Sequence, residues 1–115
     1  MKDVQDNTTR TRPHRRVERI LDRLGLSYSS EYTEFAPYSL DLFLSEWWAA
    51  IEVDGPTHSR AKDARRDEDL LRRYGVKVLH LPTDMSVEHV EITVLAFIKH
   101  SAKDARERRQ MWRAQ

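Results

Sequence analysis

Residues 38–58 read Tyr38-Ser39-Leu40-Asp41-Leu42-Phe43-Leu44-Ser45-Glu46-Trp47-Trp48-Ala49-Ala50-Ile51-Glu52-Val53-Asp54-Gly55-Pro56-Thr57-His58, and the alternation within them decides the fold. In the first half Tyr38, Leu40, Leu42 and Leu44 alternate with Ser39, Asp41 and Phe43. The two-residue period of a strand sends Asp41 to the face opposite the leucines. In the second half Trp47, Ala49, Ile51 and Val53 alternate with Trp48, Ala50, Glu52 and Asp54, so Glu52 and Asp54 share a face. Ser45-Glu46 reads as the turn of a hairpin, which brings Asp41 to the side of Glu52 and Asp54. Gly55-Pro56 stops the second strand and re-aims the imidazole of His58.

Carboxylates gathered on one partly buried face raise one another's pKa unless a cation, a base or water offsets the repulsion. Between residues 26 and 58 the chain has 6 acidic and 0 basic side chains. An oxygen-only donor set suits a hard ion, Mg²⁺ or Mn²⁺, better than zinc. The plainer reading of the same acids is the solvated face of an antiparallel hairpin.

Outward from this hairpin, Pro13 suits the first turn of a helix, and Val17, Ile20, Leu21 and Leu24 follow at helical spacing before Gly25. Leu26 to Phe35 reads as a strand carrying Tyr28 and Tyr32, broken by Ala36-Pro37. On the other side, Arg60 to Tyr74 reads as a charged helix with an inner stripe of Ala61, Ala64, Leu70, Leu71 and Tyr74. Gly75 ends it, and Val76 to Leu81 is a strand stopped by Pro82. A strand, a helix and a strand in succession imply a right-handed crossover and parallel pairing. Ser86 is a candidate N-cap for a final helical segment with Val87, Val90, Val94, Phe97 and Ile98 on one side, continued by a charged stretch with Met111 and Trp112. The order α-β-β-β-α-β-α describes an α/β protein with a mixed four-stranded central sheet flanked by helices. Residues 1–12 read as a flexible polar arm and residues 13–115 as a single domain.

The chain has 115 residues, 39% hydrophobic and 34% charged, with no cysteine. Disulfides and thiolate zinc sites are excluded. No apolar run approaches membrane-spanning length and the first residues are polar, so the expected location is the cytoplasm and no membrane partner is expected. A net charge of +1 hides segregation: residues 1–25 carry 7 basic and 4 acidic side chains, and residues 59–81 again carry 7 and 4. Basic segments flanking an acidic centre suit a metal site rimmed by phosphate contacts, or else solvated helix faces.

The element order, with Ile51-Glu52-Val53-Asp54-Gly55-Pro56-x-His58, then Asp63-x-x-Arg66-Asp67-x-x-Leu70-Leu71 and Gly75-Val76-Lys77-Val78-Leu79, resembles the PD-(D/E)XK nuclease superfamily. More narrowly it is similar to the very short patch repair (Vsr)-like branch, whose EDxHD signature is shared by phage homing endonucleases. The resemblance covers roughly residues 14–82. It implies a restriction-endonuclease-like core and a metal-dependent DNA endonuclease, which nicks as a monomer or cuts both strands as a dimer. The signature falls on Glu18, Asp41, His58 and Asp67. Asp41, Glu52 and the main-chain carbonyl of Val53 would hold Mg²⁺, with Mn²⁺ substituting. His58, with an ordinary pKa near 6.5, would take the proton of the attacking water. Asp67 or Asp63 would orient it, and Glu18 would hold a water beside the ion. Arg15, Arg16, Arg60, Lys62, Arg65 and Arg66 are the candidate contacts to DNA phosphates. Where the superfamily carries a lysine two residues after the strand-three glutamate, this chain has Asp54, which is read as a further ligand or supporting acceptor. His14, His80, His89 and His100 receive no chemistry in this reading. Expected partners are DNA, a second copy meeting through the C-terminal segment with Trp112, or a separate specificity protein; a phage-encoded enzyme would work in the host cytoplasm. The alternatives are a non-catalytic nucleic-acid-binding accessory subunit on the same fold, or an RNA or structure-specific nuclease.

Overall fold

A computed structural model of the protein describes residues 11–56 and 59–113. Residues 1–10 of the expected arm, and His58, lie outside the described residues. The elements are α1 (Arg12–Arg23), β1 (Ser29–Tyr32), β2 (Leu40–Leu44), β3 (Ala49–Asp54), α2 (Arg60–Tyr74), β4 (Lys77–Pro82), α3 (Val87–Ala102) and α4 (Ala105–Arg113).

The four strands form one mixed sheet in the order β1-β2-β3-β4. β1, β2 and β3 are antiparallel neighbours, and β4 runs parallel to β3 after the α2 crossover. The alternation of β2 and β3 sorts the core into two clusters. Leu42, Leu44, Ile51 and Leu81 pack with Val17, Ile20 and Leu21 of α1 and with Val90, Val94 and Ile98 of α3. Phe43 and Ala50 pack with Phe35, Leu40, Trp48, Leu70, Tyr74, Val76 and Ala105.

Three local features differ from the expected ones. The first strand is only Ser29–Tyr32, and β3 starts at Ala49 because the turn occupies Ser45 to Trp48. Trp48 sits at φ 51°, and its buried indole N–H donates to the Tyr74 carbonyl at 2.8 Å. Burying the ring and satisfying that donor over α2's end fixes the turn in this shape. The inner stripe of α2 also differs: Ala61 and Ala64 are exposed and Leu71 is 42% exposed, so only Leu70 and Tyr74 enter the core. The first half of α2 turns Asp63, Arg66 and Asp67 inward instead, over the acidic strand ends.

The final helical segment is divided into α3 and α4 by a break at Lys103 and Asp104. The break lets Arg108, 5% exposed, reach inward. Its guanidinium donates to the carbonyls of Trp48 (2.6 Å), Gly75 (2.8 Å), Ser101 (2.7 Å) and Trp47 (3.0 Å). Gly75 ends α2 in the left-handed region at φ 74°, and a Cβ there would lie 2.2 Å from the Arg108 carbonyl oxygen. Only glycine fits both demands. Trp112, the residue expected at a dimer contact, stacks edge-on against Phe35 and Tyr74 of its own core, at 5.4 and 5.2 Å between ring centres.

Candidate active site

β2 and β3 stop pairing beyond Leu42 and Ile51. The main-chain donors released there are taken by side chains. The Asp41 N–H donates to Glu52 Oε2 at 2.8 Å, and the Val53 N–H donates to Asp41 Oδ2 at 2.9 Å. Two carboxylates are therefore built into the gap between strands. Glu52 is 7% exposed, and its pKa is pushed up to about 7 by burial first and by the Asp41 charge second. Arg66 opposes this from α2, with its guanidinium 3.4 Å from Glu52 Oε1.

The parallel register sets Glu52 beside His80 and Asp54 beside Pro82. His80 lies between two acids: Nδ1 is 2.7 Å from Asp54 Oδ2 and Nε2 is 2.6 Å from Asp67 Oδ2. Asp63 Oδ2 is 3.9 Å from Nδ1. Burial lowers the imidazole's pKa, but hydrogen bonding and charge from Asp67, and then from Asp54, outweigh it, so the net shift is upward from 6.5. A doubly protonated ring that donates to both carboxylates satisfies this geometry. Asp54, Asp63, Asp67 and His80 line an open cleft of about 700 Å³, with Arg60 also in its wall.

On the α1 side, Glu18 is buried and accepts a hydrogen bond from Ser30 Oγ. His14, one turn earlier, places Nε2 3.4 Å from Glu18 Oε2 and Nδ1 3.6 Å from Glu31 Oε2. Glu31 has φ 54°. One ligand atom from each of His14, Glu31 and Asp41 lies within 4.8 Å of the others, and the same holds for Asp54, Asp63 and His80.

Of the residues singled out in the sequence, Asp41, Glu52, Asp54 and Asp67 thus converge at one end of the sheet, while Glu18 approaches from α1. The Val53 amide is tied to the same group, donating to Asp41 Oδ2. Arg66 is engaged within the protein, by Glu52 and by the Ser39 carbonyl at 2.6 Å. Arg16 donates to the Met85 carbonyl at 2.6 Å and, with Arg15, lines a second cleft that shares Thr83 and Asp84 with the first. Arg60, Lys62 and Arg65 are exposed on the first turns of α2. Of the four histidines left without chemistry, His80 and His14 reach the acids of the site. A period-two reading of β4 places His80 with Val78, on the face that Glu52 shares in the parallel register, and His14 stands at i−4 from Glu18; both signals were present in the sequence.

The donor chemistry fits a divalent cation. Buried Glu52 and half-buried Asp41 together bring more negative charge than one arginine offsets, and their oxygen donors are those a hard ion selects. Among the described residues no helix is long and apolar enough to cross a membrane.

The fold defined by these elements is an α/β nuclease-like core. It is shared with the solved catalytic domain of the homing endonuclease I-Bth0305I, at 23% identity and a TM-score of 0.51, over 83% of this chain and 93% of that one. No protein-family model and no curated protein matches the sequence.

Proposed function

We propose that this protein is a metal-dependent DNA endonuclease that hydrolyses phosphodiester bonds with Mg²⁺, or Mn²⁺ in its place. The observation that carries the reading is the Asp41–Glu52 pair, set where two strands part, with Glu52 pushed up to about 7 by burial and by Asp41. A buried carboxylate with so raised a pKa beside a second carboxylate marks a candidate functional pair, which a cation would complete. The fold it shares with a homing-endonuclease catalytic domain supports the same class.

Asp41 and Glu52, with the carbonyl of Val53, would hold the ion, which when bound supplies Lewis-acid polarisation of the phosphodiester and neutralises charge at the leaving oxygen. Arg60, Lys62 and Arg65, exposed where α2 begins, would grip the DNA backbone, together with Arg15 and Arg16. His58 is assigned the proton of the attacking water. Asp63 is assigned to orient it, because Asp67 Oδ2 is engaged by His80. His80 in turn fixes Asp54 and Asp67, so that the wall of the cleft keeps its shape as charge moves through it.

The test is nicking of supercoiled plasmid with Mg²⁺, Mn²⁺ or EDTA. Metal-dependent relaxed circles that disappear in Asp41→Ala, a loss of about a thousandfold or more in rate, support the assignment; full activity in that variant rejects it. A second reading is favoured by one observation, that Arg66 and His80 already offset Glu52, Asp54 and Asp67 from within. It makes the chain a nucleic-acid-binding accessory subunit, which would shift DNA on a gel in a salt-dependent way and hydrolyse nothing in any divalent ion.

A further inference from the structure

His14 presents an imidazole to the candidate metal centre from α1, one turn before Glu18. Its side chain is 5% exposed, yet Nε2 has no hydrogen-bond partner among the described residues. A buried ring nitrogen without a partner is a standing cost. The groups around the ring are carboxylates: Glu18 Oε2 is 3.4 Å from Nε2 and Glu31 Oε2 is 3.6 Å from Nδ1, and His14, Glu31 and Asp41 form a three-residue set whose ligand atoms lie within 4.8 Å of one another. Glu31 follows Ser30, which is registered with Leu42 in the β1–β2 ladder, so two acids approach one another across neighbouring strands. Like charges so placed repel. One divalent ion would relieve the repulsion between the acids and engage a nitrogen of the buried ring.

We propose that His14 is a nitrogen ligand to the ion held at Asp41, with Glu31 as a further oxygen ligand, and that this makes the centre select Mn²⁺ over Mg²⁺. The inference rests on the reading of Asp41 as a metal ligand and adds the identity of the ion. Mg²⁺ takes oxygen donors almost exclusively and surrenders its waters reluctantly, whereas a first-row transition ion gains from an imidazole. His14 therefore adds affinity for Mn²⁺ that the carboxylates alone do not give.

The experiment titrates the full chain with Mn²⁺ and with Mg²⁺, each ion alone and without DNA, and records pulsed EPR of the Mn²⁺ complex. The expected result is tighter binding of Mn²⁺ than of Mg²⁺, with a nitrogen coupling on the bound Mn²⁺. In His14→Gln, which keeps the size and polarity of the side chain, Mn²⁺ binding should weaken about tenfold or more. Mg²⁺ binding should change less than about threefold, and the coupling should vanish; in His80→Gln the coupling should persist. Circular dichroism confirms the fold of each variant. Should His14→Gln unfold, persistence of the coupling in His80→Gln and its loss in His58→Gln would overturn the proposal, and its persistence in both would support it. Mn²⁺ bound without nitrogen coupling, or with equal affinity in His14→Gln, overturns the role of His14 and leaves Asp41 as a ligand. No binding of either ion overturns both the role of His14 and the metal reading of Asp41.

Discussion

Ile51 and Glu52 are adjacent in β3 and face opposite ways, and the two environments they enter could hardly differ more. Ile51 meets only apolar side chains, from β2, β4, α1 and α3, and is fully buried. Glu52 enters a layer that is aromatic near α4 and charged near the start of α2. The first environment stabilises the fold through burial of hydrocarbon. The second holds carboxylates against their preference for water, which is tolerable because the opposite face is complete. One sheet thus separates an all-apolar cluster from a face on which a second, aromatic cluster with Phe35, Phe43 and Trp48 borders the charged site.

If that separation holds, Ile51→Ala should have the largest effect on stability, a loss of about 3–4 kcal/mol by urea denaturation. A loss under about 1 kcal/mol would mean that the apolar face does not dominate. Glu52→Gln should act in the other direction, and with pH. In metal-free protein, Glu52 is neutral in both states below its ordinary 4.5, so its favourable contribution is fully present there. As pH rises from 4.5 the unfolded chain ionises first, and stability is lost until the folded group ionises at about 7. Melting curves in EDTA should therefore show wild type falling behind Glu52→Gln between these values, by at most about 3 kcal/mol. Parallel curves would show that Arg66 fully compensates the burial.

His80→Gln sharpens the contrast within the charged layer. Because the folded His80 titrates above 6.5, its contribution is complete below pH 6.5 and fades as pH rises through the folded value. The variant should be less stable than wild type by about 1–2 kcal/mol at pH 6 and by less at pH 9. An equal deficit at both would indicate packing alone.

Most of the apolar face was legible in the sequence. Val17, Ile20 and Leu21, Leu42 and Leu44 of β2, and the valines of α3 all obey the period of their element, whereas Leu40, expected with Leu42 and Leu44, packs with Phe43 on the other face; Gly75 and Ser86 mark ends where the structure has them. The charged face was legible only in part. The stripe of Ala61, Ala64 and Leu71 is hydrophobic in composition but faces outward, because Asp63, Asp67, Leu70 and Tyr74 form the opposing helical row. That choice depends on what the sheet presents beneath, and a linear pattern of charges does not contain it. His80 reaches Asp54 only through parallel register between strands separated by a helix. Arg108 was unreadable for a stronger reason: nothing local distinguishes it from the arginines around it, and its burial follows from four carbonyls contributed by distant segments.

Those four carbonyls have a consequence for the order in which the chain can become itself. Arg108 lies 60 residues beyond Trp48 and 33 beyond Gly75, so the turn that joins β2 to β3 and the end of α2 are fastened by a residue synthesised well after them. The hairpin bearing Asp41 and Glu52 is synthesised early and completed late. Closure of so long a loop must precede the contacts that reward it, which makes a chain stalled before residue 108 a nuclease-like sheet with its two tryptophan carbonyls still unclaimed.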